Sequence, residues 1–330
     1  MILVTGASGL VGLHLIKYLS QNNEKVRALY HTHLPITLAN TIEENIEWQC
    51  CDILDIVTLE AMFVGVLQVY HCSGIVSYDP RLTDYMMEVN ETGTEYIVNF
   101  CLEKNVQKLV FVSSIAALGK DTNEHNVITE KSEWNTVEQN VSKYAMSKHK
   151  AEMQVWRGIA EGLHAVIVNP AVILGEGDVR KSSTNLFEIV HNEFKYFTKG
   201  ATAWVDVQDV VKAMYMLMQS DVQNERFILC AGNYSYKEIF TKMARSMDVK
   251  PPSVFATKGM TELVWRWSYI KSKLTGKVAT ITKETARNAH EIHYFGNSKL
   301  LTFFPEFTYQ KIDKTIERVC TFLYGQEQIM

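Results

Sequence analysis

Three glycines, Gly6, Gly9 and Gly12, stand three residues apart directly behind the apolar run Ile2-Leu3-Val4. The run reads as a strand, and residues 10–19 read as a helix with one buried face. A strand, a glycine-rich turn and a helix together make a phosphate-binding device. Glycine permits a tight turn and a close approach of pyrophosphate to the backbone, while the helix N-terminus offers free N–H donors at its positive dipole end. The turn residues Gly6, Ser8, Gly9, Leu10, Val11 and Gly12 are therefore expected to hold a dinucleotide. The turn has neither the spacing nor the terminal Lys-Ser/Thr of a P-loop, which argues against ATP hydrolysis.

Beyond the turn, short apolar runs at 25–30, 46–51, 67–72, 108–113 and 164–168 alternate with helix-period segments, the clearest at 82–104 and 141–161. This alternation predicts an α/β fold with a doubly wound parallel sheet of Rossmann type. Gly162 stands where the second long helix should end. After Pro170 the alternation fails, and the stretch to about residue 203 reads as irregular. A further helix is expected to open at Asp209 as its N-cap, followed by a strand at 226–230. The expected division is a dinucleotide-binding domain of residues 1–170 plus about 204–230, and a smaller, discontinuous substrate lobe of about 171–203 plus 231–330.

A net charge of −4 gives no footprint for nucleic acid. Six cysteines without a CxxC pair read as buried, reduced thiols, and the scattered histidines suggest no metal. The glycine turn begins too early to leave room for a signal peptide, and no apolar run reaches the ~20 residues of a membrane span. The expectation is a cytoplasmic protein.

Tyr144 and Lys148 lie four residues apart in the 141–161 helix and so share a face. A free tyrosine, with a pKa near 10, exchanges protons poorly at neutral pH, and a nearby ammonium in a dry site would lower that value. The same spacing also describes an ordinary surface pair. Ser113-Ser114 end the fifth strand, where ligands of open α/β sheets bind. A serine there can hold a substrate carbonyl together with Tyr144, or both serines can merely terminate the strand.

Taken in order, TGASGLVG at 5–12, Asp52-Ile53-Leu54-Asp55, His71-Cys72-Ser73-Gly74, Phe111-Val112-Ser113-Ser114, Tyr144-Ala145-Met146-Ser147-Lys148, residues 169–175 and residues 204–210 resemble the motifs of the extended short-chain dehydrogenases. That is the NAD-dependent epimerase/dehydratase family, and the resemblance covers roughly residues 1–230. It implies catalytic roles for Ser114, Tyr144 and Lys148, with Lys148 also holding the nicotinamide ribose. It implies that Asp52, with Ile53, meets the adenine and that Ser73 and Gly74 line the ribose and nicotinamide. Asn90 matches a mainly structural position, and Asn169 and Pro170 fall near the nicotinamide amide.

An NAD site usually carries an acid about 20 residues past the glycines, but here the residues are Tyr30-His31-Thr32-His33. The missing acid favours NADP over NAD, with His31 standing where related reductases carry arginine. The Thr-Asp-Glu triplet of sugar-nucleotide dehydratases and the arginine of the epimerases are both missing. The expected branch is therefore the dihydroflavonol-reductase-like one, acting on the carbonyl, or the corresponding alcohol, of a small apolar or aromatic substrate. The alternatives are a nucleotide-sugar epimerase and a non-catalytic NADP sensor or scaffold. Residues 263–271 are aromatic and basic; they are expected to form a helix packed over the substrate pocket, with membrane association unexpected. A homodimer through the two long helices is compatible with the family pattern.

Overall fold

Side chains on successive strand residues point to opposite faces, and in this chain both faces are apolar. The computed structural model describes residues 1–34, 44–120, 126–134, 141–179, 182–275 and 281–325. In it, seven parallel strands form one sheet: β1 (Ile2–Thr5), β2 (Val26–Tyr30), β3 (Ile46–Cys50), β4 (Gln68–His71), β5 (Lys108–Val112), β6 (Ala165–Pro170) and β7 (Glu225–Leu229). Their spatial order is β7-β6-β5-β4-β1-β2-β3, which is the doubly wound arrangement expected. The helices α1 (Leu10–Gln21), α2 (Gly93–Glu103), α3 (Lys143–Ala160) and α4 (Val207–Gln219) cover the sheet. Ile2, Val4, Val110 and Val112 pack with α1 and α4 on one face, whereas Leu3, Leu109 and Phe111 pack with α2 and α3 on the other. The chain order reverses between β1 and β4, so the crevice at their C-terminal ends is where a ligand fits.

The 82–104 region is helical but not uniform. A π-helical turn at Glu88–Thr92 joins the Thr83–Met87 helix to α2 and carries the buried Asn90. Asp209 does not cap a helix. The strand Ala201–Asp206 stops three residues earlier, and Asp206 accepts the Gln208 N–H at 2.7 Å to open α4. Asp209 is buried in the first turn instead, where it accepts the Gln310 N–H at 2.8 Å. Nor is 171–203 merely irregular. It contains the strand Val172–Leu174, the helix Asn185–His191 and the start of the Ala201–Asp206 strand. These strands are too short to show a period, and they form because each finds a partner. Val172–Leu174 pairs parallel with Ala201–Asp206, whose other edge takes Gly232–Ser235 antiparallel. All six cysteines are unpaired as expected, although Cys50 is exposed and Cys72 half-buried rather than buried.

Beneath that small sheet lies a third apolar cluster, in which Phe187, Trp204, Ile239 and Met243 meet Ile316 and Val319. The C-terminal helices include α5 (Lys258–Thr275), α6 (Lys283–Asn288) and α7 (Ile312–Tyr324). Helix α7 closes over this cluster, and its Thr315 and Arg318 donate to Asp206 at 2.7 and 2.9 Å. Helix α5 contains the 263–271 stretch, and it departs from expectation. It packs on α6 but buries none of its residues.

Candidate active site

Two devices bring Ser114, Tyr144 and Lys148 together. Ser142 caps α3 by accepting the Ala145 N–H at 2.8 Å, which starts the helix so that Tyr144 enters the crevice in its first turn. Ser114 begins a 3-10 turn after β5 by accepting the Ala116 N–H at 3.1 Å. The Ser114 hydroxyl lies against the Tyr144 phenol and favours its ionised form. One turn further along α3, buried Lys148 donates to the Val112 carbonyl at 3.0 Å. The structure also separates the two serines. Ser113 turns away and donates to buried Glu152 at 2.5 Å, leaving Ser114 as the one beside the phenol.

Residues 2–230 match the model of the NAD dependent epimerase/dehydratase family. The chain belongs to that family. Among curated relatives, it is 28% identical over 243 residues to sterol demethylase protein B of Methylococcus capsulatus, covering 72% of this chain and 71% of that one. It is 26% identical over 266 residues to cinnamoyl-CoA reductase 1 of Oryza sativa subsp. japonica, covering 77% of each. A Bordetella bronchiseptica enzyme solved in complex with NAD+ superposes with a TM-score of 0.78 at 16% identity, covering 98% of both chains. The protein is an enzyme of the extended short-chain dehydrogenase type.

The glycine turn of this epimerase/dehydratase-family chain fits a dinucleotide. Gly6 adopts φ +64°, and a Cβ there would sit 2.6 Å from the Ser73 nitrogen. A Cβ at Gly12 would collide with the Gly6 carbonyl and lie 2.8 Å from the Ala7 Cα, so these two glycines let strand, turn and helix touch. Gly9 is different, since a Cβ there would meet only the Gly6 oxygen, at 3.3 Å. That side of the turn is open. No side chain caps α1 and no acid stands in its first turn, so the N–H groups of Leu10 and Val11 are available to an anion beside exposed Ser8.

The remaining sequence-derived positions divide. His31 and Asp52 come together at the edge of the sheet, with Nε2 3.4 Å from Oδ2, and both are partly exposed. Ser73 donates its N–H to Thr5 Oγ1 at 3.3 Å, and Gly74 lies so close to Lys148 that a Cβ there would be 2.9 Å from Nζ. Asn169 donates to the Ser114 carbonyl at 2.9 Å and to Glu152 at 2.5 Å, while its buried Oδ1 has no partner among the described residues. Two side chains are spent elsewhere. Ile53 is buried in the core against Gly93. Asn90 accepts the Ile75 N–H at 2.7 Å and donates to the Ile75 carbonyl and Ser147 Oγ, which staples the loop after β4 and leaves no donor for a cofactor. Pro170 is buried at the end of β6, in register with Leu229.

The electrostatics also differ from the sequence expectation. Burial pushes the Tyr144 phenol up, with Ser114 opposing. Burial lowers Lys148 itself to about 8, against the favourable field of Glu152. Burial likewise pushes the Glu152 carboxyl up, opposed by its hydrogen bond from Ser113 and by Arg226, whose Nη1 lies 3.5 Å from Oε2.

Sequence reasoning missed Glu152, although it follows Lys148 by one further four-residue step. It also missed a buried relay beneath the turn. Thr94 donates to the Asn90 carbonyl at 2.6 Å and so accepts from His71 Nε2 at 3.0 Å, which leaves His71 Nδ1 to accept from Thr5 at 2.6 Å. These residues lie far apart in the chain, and only the β1–β4 pairing of Thr5 with His71 makes them neighbours.

Proposed function

We propose that the protein is a cytoplasmic NADP-preferring reductase of ketones or aldehydes on small apolar or aromatic compounds. The observation that carries this is the Ser114 hydroxyl set against the Tyr144 phenol at the C-terminal end of β5, with buried Lys148 one turn behind it. A bound nicotinamide supplies the hydride. Ser114 and Tyr144 hold the substrate oxygen between their hydroxyls, and Tyr144 gives it a proton. Burial keeps the phenol protonated at neutral pH, which is the form that reduction requires. Lys148, anchored on the Val112 carbonyl beside Gly74, is placed to hold ribose hydroxyls and to return the proton to Tyr144.

Substrate selection is assigned to residues 171–203 and 231–330. Tyr78 packs edge-on against Tyr144 with ring centroids 6.1 Å apart, and Gly200-Ala201-Thr202-Ala203 offers no cation to grip a sugar-nucleotide pyrophosphate. Both features suit an apolar carbonyl compound, as does the resemblance to a cinnamoyl-CoA reductase. The test is a panel of aromatic and aliphatic carbonyls together with nucleotide sugars, followed by NADPH consumption and by sugar product analysis. NADPH consumption with carbonyls supports the reading; epimerised nucleotide sugar without net cofactor oxidation overturns it.

The preference for NADP rests on His31, with no acid in the stretch Tyr30-His31-Thr32-His33. His31 would meet the 2′-phosphate, competing with its contact to Asp52. His31→Ala should therefore weaken NADP binding more than NAD binding. Equal binding of both cofactors by the wild type, or an equal effect of the variant on both, refutes the preference.

A further inference from the structure

Helix α5 is built inside out. Its inward line toward α6 consists of Thr261, Trp265, Ser268 and Ser272, all half-buried. Its large apolar residues face solvent: Leu263 is 67% exposed, Trp267 73%, Ile270 56% and Leu274 82%. These four recur at steps of four, three and four residues, so they form one continuous stripe along a helix about 27 Å long. Met260 and Val264 widen it along one edge. A stripe of this size on the outside of a folded enzyme marks a surface that something covers.

The charges beside the stripe identify what that is. Arg266 lies three residues after Leu263 and four before Ile270, and Lys273 follows Ile270 by three, so both border the stripe on one side. Lys271, four after Trp267 and three before Leu274, borders the other. Within α5 the four cations Lys258, Arg266, Lys271 and Lys273 stand against the single acid Glu262, in a chain whose total charge is −4. Long basic side chains flanking an apolar stripe can lay their stems along it and place their charges at headgroup level, and a tryptophan at its centre suits the same interface. A second copy docking through this face would set the two cationic borders against one another. An anionic surface is attracted by both. Among the described residues, no helix is long and apolar enough to cross a membrane, so α5 would lie on the surface.

We propose that α5 docks the enzyme on anionic lipid bilayers, with Leu263, Trp267, Ile270 and Leu274 inserted and Arg266, Lys271 and Lys273 on the headgroups. This assignment does not depend on the reaction proposed above. The test is co-sedimentation of the full chain with phosphatidylcholine vesicles, with and without about 30% phosphatidylserine. Wild type should pellet with the anionic vesicles and remain largely free with the neutral ones. Trp267→Gln/Leu274→Gln should weaken binding by about tenfold or more, and Arg266→Glu/Lys271→Glu/Lys273→Glu should abolish the preference for phosphatidylserine. Because these side chains are exposed, thermal unfolding and NADPH binding serve as controls that the variants remain folded. Absence of binding to anionic vesicles, or equal binding by wild type and both variants, overturns the proposal. So does a lipid-independent dimer that the Trp267/Leu274 variant dissolves, since that would assign the face to self-association.

Discussion

The crevice at the end of β5 and the outer face of α5 solve opposite problems. In the crevice, polar groups are buried and nearly every one has a partner: Lys148 has the Val112 carbonyl, while Glu152 has Ser113, Asn169 and Arg226. On α5, the large apolar side chains of Leu263, Trp267, Ile270 and Leu274 are exposed. The contrast teaches that removing a side chain should cost stability in the first region and binding in the second. In a low-dielectric interior an unmatched polar group is expensive, whereas an exposed tryptophan loses little contact when truncated.

Four experiments can break that contrast. The largest effect is on rate: Tyr144→Phe should lower turnover of any active carbonyl by at least about 100-fold while leaving NADPH affinity nearly unchanged. Steady-state kinetics with fluorescence titration checks both halves, and unchanged turnover removes Tyr144 from the mechanism. Next, Glu152→Ala leaves Ser113, Asn169 and Arg226 facing an empty buried site. Denaturant unfolding should show a loss of about 3–5 kcal/mol.

A matched aromatic pair tests the two regions directly. Phe111→Ala, in the sheet core, should cost about 3–5 kcal/mol, while Trp267→Ala should stay within about 0.5 kcal/mol of wild type. A large loss from the second would mean that α5 is a structural element after all.

The smallest effect is a pH slope. Burial, with Lys148 adding to it, lowers His71 from 6.5 to about 3, so the folded state keeps the ring neutral while the unfolded chain protonates it. The stability that depends on neutral His71 is present above pH 6.5 and is lost as pH falls toward 3, by about 1.4 kcal/mol per unit. Between pH 6.5 and about 5, where few carboxylates titrate, His71→Asn should flatten the slope.

Much of the crevice was legible from local pattern. The glycine turn, the four-residue step from Tyr144 to Lys148 and the strand-end serines are short-range features, and their meaning depends mainly on neighbours in sequence. Where reading failed, the missing information was long-range. Asp206 rather than Asp209 opens α4 because the preceding strand is held by Val172–Leu174 and Gly232–Ser235. Ile53 sits inside a matched motif, yet packing against Gly93 claims its side chain. Glu152 was in register with Lys148, but a carboxylate at that spacing is common on any helix and acquires meaning only once Ser113 and Asn169 face it.

By itself, then, the sequence determined the parallel sheet, the strand–glycine turn–helix unit and the shared face of Tyr144 and Lys148, because strand alternation, glycine freedom and helix period are encoded locally. Tertiary structure decided which of the two serines faces Tyr144, that burial outweighs Ser114 in setting the phenol's proton affinity, and which way α5 turns its apolar residues. Those outcomes depend on distances and burial among residues tens of positions apart. The amphipathic pattern of residues 258–275 shows that one face is apolar; only packing on α6 determines that this face is the one turned outward.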